Sequence, residues 1–167
     1  WGDASEHVLG MAYLNSYYQT GLKSLLDVAV LAHAERAQLV AAYAKVDEVP
    51  FDFVRRRMSV VVSDGQVTDR VITKGAVEEI MQVCVSVQAA AGVLALDAGL
   101  RARIVARAEA LNAEGLRVVA VAIRDTPAGQ NAYGVADEAG MSLCGFLAFM
   151  DPPKSSAAPA LQALARH

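Results

Sequence analysis

Arg57-Met58-Ser59-Val60-Val61-Val62-Ser63-Asp64-Gly65-Gln66-Val67-Thr68-Asp69-Arg70-Val71-Ile72 contains two β-branched runs on either side of Ser63-Asp64-Gly65-Gln66. Asp-Gly adopts positive φ readily and closes tight turns between antiparallel strands, so the stretch predicts a β-hairpin, with Lys74-Gly75 ending its second strand. Upstream the period changes to that of helices. Val8, Met11, Ala12 and Leu14, then Leu22, Leu25, Leu26, Ala29 and Val30, recur at helical intervals. Gly21 separates two helices, Ser5 caps the first, and Ala34 to Tyr43 continues or restarts the second.

Downstream, Val77 to Cys84 has helical spacing. Asp97 is placed to cap a long helix through Glu114, which Gly115 ends in the left-handed conformation, with Arg101, Arg103 and Arg107 as its solvated face. Leu116 to Ile123 and Leu143 to Phe149 are apolar and β-prone, and Ala128 to Gly140 between them reads as a loop or short element. Asp151-Pro152-Pro153 breaks the last strand, and Ala157 to Leu164 reads as the start of a helix. Hairpin-joined strands with paired helices inserted predict an α+β fold, with an antiparallel sheet covered on one side.

The totals narrow the function classes. A chain of 167 residues, 54% hydrophobic and 20% charged, predicts one compact domain. A net charge of −3 provides no general attraction to nucleic acid or anionic lipid, so an anion site must come from local arginines and lysines. Cys84 and Cys144 have neither redox nor zinc spacing and read as reduced, packed thiols of a cytosolic protein. No apolar run approaches the roughly 20 residues that cross a bilayer. Trp1 in place of an initiator Met, and an ending inside a helical pattern, read as the boundaries of an excised fragment. His7, His33 and His167 match no metal-ligand spacing, and neither a Walker loop nor a dinucleotide fingerprint occurs.

Three segments could converge on an anionic, aromatic ligand. In Val49-Pro50-Phe51-Asp52-Phe53-Val54-Arg55-Arg56-Arg57-Met58-Ser59, two aromatics precede three arginines. A ring can stack on a purine for roughly 1–3 kcal/mol, and guanidinium groups pair with phosphate oxygens in a fork. The alternative is a core Phe beside a solvated, basic strand edge. Lys74 stands at a strand end beside Gly75, where backbone can approach a ligand closely and the ammonium can meet a phosphate. Arg117 opens a strand after Gly115 and could reach a phosphate, or be an ordinary surface arginine.

In order and spacing these segments resemble the nucleotide-binding domain of P-type ATPases. Phe51, Arg56 and Met58-Ser59 match the family's Phe, its basic residue five positions on and its Met-Ser. Lys74-Gly75-Ala76 matches its Lys-Gly-Ala, Gly115-Leu116-Arg117 its Gly-Leu-Arg strand, and Asp151-Pro152-Pro153-Lys154 its hinge to the phosphorylation domain. Leu14-Asn15-Ser16, Gln19-Thr20-Gly21-Leu22-Lys23, Pro50-Phe51-Asp52-Phe53 and Asp151-Pro152-Pro153-Lys154 look most like the bacterial magnesium-importing subgroup.

The resemblance implies a twisted antiparallel sheet flanked by helical pairs. Residues 1–150 would be the nucleotide-binding domain, and 151–167 the hinge and truncated start of the phosphorylation domain. The ligand implied is ATP, as MgATP. Phe51 would stack on adenine, Lys74 and Gly75 lie against the nucleotide, and Arg56 and Arg117 meet its phosphates. Many relatives carry Lys where this chain has Arg56, which keeps the charge and changes the phosphate geometry.

An acidic residue near the adenine amino group is implied as well. Glu6, in Gly2-Asp3-Ala4-Ser5-Glu6, and Asp27, in Asp27-Val28-Ala29-Val30-Leu31, both resemble versions of that motif, Asp27 the shorter one of the magnesium subgroup. No Asp-Lys-Thr-Gly segment occurs, so no catalytic residue is expected here, and ATP bound to this chain alone should stay intact. The implied setting is the cytoplasmic portion of a bacterial inner-membrane pump, working with phosphorylation and actuator domains of the same polypeptide, without nucleic acid, direct membrane contact or a bound metal of its own. The alternatives are a pump for another cation, a self-contained hydrolase, and a module in which Arg55, Arg56 and Arg57 grip an acidic partner.

Overall fold

Strands β2 (Arg57–Ser63) and β3 (Thr68–Gly75) pair antiparallel from Arg57 opposite Gly75 to Ser63 opposite Asp69, with Gly65 at φ 83° in the connection, as the Asp-Gly signal predicts. The computed structural model describes residues 6–150 and 160–165. Upstream come α1 (Glu6–Tyr18), α2 (Leu25–Leu31), one 3-10 turn (Ala34–Arg36), α3 (Ala37–Ala42) and β1 (Ala44–Asp52). Downstream come α4 (Val77–Val83), β4 (Cys84–Ala89), β5 (Gly92–Ala95), α5 (Ala98–Ala113), β6 (Arg117–Pro127), a second 3-10 turn (Val135–Asp137), β7 (Met141–Met150) and β8 (Ala160–Ala165).

The sheet runs β1-β2-β3-β6-β7-β4-β5, and β8 also pairs with β7. All pairings are antiparallel except that of β4 with β7, which is parallel. β4 takes the first part of β7 and β8 the part from Gly145 onward, so the two share one edge. Gly145 is required at that junction, because a Cβ there would lie 2.3 Å from the Leu164 carbonyl oxygen.

The helices follow local signals. Ser24 and Asp27 form a reciprocal capping box on α2, and Asp97 accepts from the Leu100 N–H at 2.7 Å to cap α5. Gly115, at φ 89°, ends α5 in the left-handed conformation. The Ser5 cap and the Asp151-Pro152 hinge lie outside the described residues.

Both faces of the sheet are covered, which corrects the expectation of a one-sided sheet. Met58, Val60 and Val62 pack with Val8, Leu14 and Val30 of the α1–α2 layer. Val61 and Val71 point the other way, to Ile80 of α4 and Ile104 of α5. Val60, Val61 and Val62 are each fully buried, so the unbroken apolar run of β2 marks a strand enclosed on both faces.

Three further expectations are corrected. Residues 160–165 form strand β8, not the helix read from Ala157 to Leu164, because pairing along β7 overrides the helix preference of an Ala-rich segment. Arg101 is not merely solvated: its guanidinium donates to the carbonyls of Met81 and Cys84, joining α5 to the start of β4. The strand β6 extends four residues past Ile123, to Pro127. Cys84 and Cys144 are free and buried, and burial pushes both thiols up to about 12.

Two-sided burial predicts that Val61→Thr and Val62→Thr each lower stability by about 1–3 kcal/mol, because each buries a hydroxyl. Urea unfolding checks it: a sheet covered on one face would lose stability at only one of the two positions.

Candidate functional site

Lys74, the next-to-last residue of β3, is buried, and its ammonium forms an ion pair with Asp27 of α2. It also donates to Ser16 Oγ of α1 at 3.1 Å. Asp27 is nearly saturated with donors. Its Oδ1 accepts from the Ser16 hydroxyl at 2.7 Å, and its Oδ2 accepts from Gln19 Nε2 at 2.9 Å and the Ser24 N–H at 2.8 Å. A buried charge pair is tolerated only when such partners replace the lost water.

The loop from Gln19 to Ser24 is held over this pair. Lys23 donates to the carbonyls of Ser16 and Gln19 at the end of α1, and the Thr20 N–H donates to Glu48 Oε2 of β1 at 3.2 Å. Asn15 Nδ2 donates to the Ile72 carbonyl at 2.8 Å, fixing α1 to β3. Burial alone pushes the Asp27 carboxyl up. The Lys74 charge, with hydrogen bonds from Lys74, Ser16 and Ser24, outweighs burial and holds it below its ordinary value of 3.8.

Strand register brings Phe51 near the rung of Lys74. Lys74 stands opposite Met58 of β2, and Met58 faces the irregular stretch of β1 between Val49, opposite Ser59, and Asp52, opposite Arg57. Phe51 lies in that stretch, two strands or roughly 10 Å from Lys74. It is 51% exposed, and the ring of Phe53 meets it edge-on at 5.3 Å between centroids. It therefore belongs to the surface and not to the core.

Gly75 shapes the end of β3. A Cβ there would lie 2.5 Å from the Arg56 carbonyl oxygen, so only glycine lets β3 close against the turn carrying Arg56. Arg56 is the one non-glycine residue with positive φ among those described, at 52°, a conformation that costs an L-residue about 1–2 kcal/mol. Its side chain is exposed and lies 3.5 Å from Glu79 of α4.

Arg117 begins β6, opposite Phe149, and shares the face of Val121, which stands opposite Lys74. Four residues of strand set it roughly 13 Å along the sheet from that rung. Glu6 is elsewhere. It begins α1, roughly 15 Å along the helix from Ser16, and pairs with Arg36 at 3.3 Å. The structure thus brings Asp27, Lys74, Gly75, Arg56 and Phe51 to one end of β1–β3, aligns Arg117 on the Lys74 face, and leaves Glu6 apart.

Sequence reasoning missed Glu138. This fully buried carboxylate, in the β6–β7 connection, accepts from Arg55 Nε at 2.6 Å and Arg57 Nε at 3.3 Å. Of three consecutive arginines, two are therefore spent internally, at 9% and 11% side-chain exposure, and Arg56 alone of them faces out. The signal was the run itself, which needs a counter-charge, together with Asp137-Glu138 in the β6–β7 connection. Among the described residues, no group of His, Cys, Asp and Glu could hold a metal. A polar recess of about 30 Å³ beside Arg70 and Asp125 lies by the opposite end of the hairpin and is only water-sized.

The carboxyl held low on Asp27 contributes to the acid dependence of stability. Its contribution is fully present above its unfolded pKa and is lost as pH falls through the lower folded value. Acid titration of unfolding should show stability falling below about pH 4, and Asp27→Asn should flatten that limb. An unchanged limb would place the carboxylate outside the ion pair.

Comparison with known proteins gives the geometry its setting. The family model described as P-type ATPase, cytoplasmic domain N, matches residues 19–156. The chain is 48% identical over 166 residues to the magnesium-transporting ATPase, P-type 1, of Salmonella typhimurium, and 47% identical to that of Escherichia coli K12. In both cases the match covers 98% of this chain and 18% of the relative, so the chain spans about a fifth of the length of these relatives. It is 34% identical over 146 residues to a probable cation-transporting ATPase F of Mycobacterium tuberculosis, covering 84% of this chain and 15% of the relative. The motifs from Phe51 to Arg117 and the match over most of the chain agree: the chain belongs to the P-type ATPase cytoplasmic domain N family.

Proposed function

We propose that this domain binds ATP, as its magnesium complex, and presents it for phosphoryl transfer to an aspartate outside these residues, within a bacterial inner-membrane pump that imports magnesium. The observation that carries the reading is the half-exposed Phe51 in the irregular stretch of β1 that faces Met58, the residue opposite Lys74. An aromatic face open to solvent at the end of the sheet where Arg56 faces out suits a purine with a polyphosphate tail.

In this reading Phe51 stacks on adenine, and Lys74, held by Asp27 from behind, lies against the nucleotide once the Gln19–Ser24 loop gives way. Gly75 lets the backbone close around the ligand. Arg56 exchanges its long contact with Glu79 for phosphate, and Arg117 meets the phosphate end. Asp27, not Glu6, is the acidic residue of the site, because it touches Lys74. Its buried carboxylate orients the lysine, and reaching the adenine amino group requires the Gln19–Ser24 loop to give way.

Phosphoryl transfer needs an in-line nucleophile and a metal clamp on the γ-phosphate, which the domain's role of holding adenine and phosphates does not include. Those tasks fall to the phosphorylation domain of the same polypeptide, approached by movement about Asp151-Pro152. Magnesium is favoured over another cation by the 48% identity to magnesium-transporting relatives, against 34% to the probable cation transporter. An acidic partner gripped by all three arginines is disfavoured, since Arg55 and Arg57 are taken up by Glu138.

One stacked ring and a few exposed charge contacts give roughly 4 kcal/mol after ordering costs, a millimolar complex. ATP titration followed by amide NMR should show saturable shifts around Phe51 and Lys74 and no phosphate release. Phe51→Ala should weaken binding at least about fivefold, as the loss of roughly 1 kcal/mol or more of stacking requires. Absence of shifts at those residues in saturating millimolar ATP would refute the proposal.

A further inference from the structure

The turn between β1 and β2 has little apolar packing of its own. Phe53 and Val54 at its tip are 89% and 93% exposed, yet the turn carries both Phe51 and the left-handed Arg56. What fixes it is polar. Asp52 Oδ1 accepts from the N–H groups of Val54 and Arg55 at 2.8 and 2.7 Å, folding the chain back on itself. The guanidinium of Arg55 then joins the two arms. Its NH1 donates to Asp52 Oδ2 at 2.7 Å, and its NH2 donates to the Pro50 carbonyl at 2.8 Å and the Arg57 carbonyl at 3.0 Å. One planar group thus bonds to the backbone just before Phe51 and just after Arg56.

That guanidinium is itself aimed from outside the turn. Glu138 Oε1 accepts from its Nε at 2.6 Å and from Arg57 Nε at 3.3 Å. Glu138 Oε2 accepts from the Ser59 hydroxyl, and Ser59 lies 2.6 Å from the Thr73 hydroxyl. The carboxylate is therefore registered against both β2 and β3. A fully desolvated carboxylate with two guanidinium donors and a hydroxyl has few alternative arrangements, which makes it a stiff anchor.

We propose that Glu138 is a positioning residue for nucleotide binding: from the β6–β7 connection it holds Arg55, and through Arg55 it sets where Phe51 and Arg56 stand. The inference rests on the nucleotide reading above and adds a residue remote in sequence that touches no ligand. It also gives Arg55 a role distinct from that of its neighbour, since Arg55 shapes the turn and Arg56 meets the phosphates.

The test compares ATP dissociation constants, from amide-shift titration of the 167-residue chain, for the parent, Glu138→Gln, Arg55→Gln and Tyr133→Phe. Tyr133→Phe removes the hydroxyl that donates to Asp69 at 3.0 Å, in the same β6–β7 connection and away from Arg55. Glu138→Gln should weaken ATP about tenfold, as poor presentation of an aromatic stack and one cation requires, with ligand-free shift changes spread over residues 51–57. Arg55→Gln should do the same, and it decides the matter should Glu138→Gln not fold. Tyr133→Phe should lose stability and keep the parent's dissociation constant. Parent-like affinity in the glutamine variants, or an equal loss in Tyr133→Phe, overturns the positioning role and leaves the nucleotide reading standing. No saturable shift in the parent overturns both.

Discussion

A lysine and an aspartate shut between a sheet and a helical layer constrain the rest of this domain. Lys74 stands near the end of a central strand, Asp27 in the first turn of a short helix, and both are nearly inaccessible to water. Such a pair is costly unless every remaining donor and acceptor is answered. The answers come from Ser16 at the end of α1, Gln19 in the loop and Ser24 at the cap of α2. Helices α1 and α2 therefore meet β3 in one arrangement, and the loop between them is bonded to Glu48 of β1. The end of the sheet where Phe51, Gly75 and Arg56 gather is built around that arrangement.

The neighbouring cations show the same division between structure and exposure. Three arginines in succession look like one basic patch, but folding separates them. Arg55 and Arg57 turn inward to a shared carboxylate, and Arg56 is left outward in a backbone conformation that costs energy. Strain of this kind persists only where surrounding bonds over-determine the backbone. Here the Arg55 guanidinium, the Arg56 N–H donated to the Asp52 carbonyl at 2.7 Å and the Ala76 N–H donated to the Arg56 carbonyl at 3.2 Å supply those bonds.

The β2–β3 hairpin was legible because an Asp-Gly turn and β-branched flanks act locally, as were the Asp97 cap and the Gly115 stop of α5. Strands β1, β4, β5 and β8 were not assigned. Residues 44–52 form an edge strand with charges and Pro50, whose composition resembles a loop. Strand β4 follows α4 without a connector, so the helical period of Val77–Val83 masks the alternation that begins at Cys84. Strand β8 is Ala-rich and becomes extended only because β7 offers an edge. At the site, residue type and spacing pointed to Phe51 and Lys74, and the motif likeness favoured Asp27 over Glu6 without deciding between them. The fold sets Asp27 against Lys74 at the end of β3 and leaves Glu6, at the start of α1, far away beside Arg36.

A double-mutant cycle on Asp27→Asn and Lys74→Met, read by urea unfolding at neutral pH, tests the central constraint most directly. Each single change leaves a buried group without its partner and should cost about 3–5 kcal/mol. The double variant should cost about 2–3 kcal/mol less than the sum of the two single changes. Single effects that add to within about 0.5 kcal/mol would show that the two side chains do not act as a pair, and would contradict the account at its base.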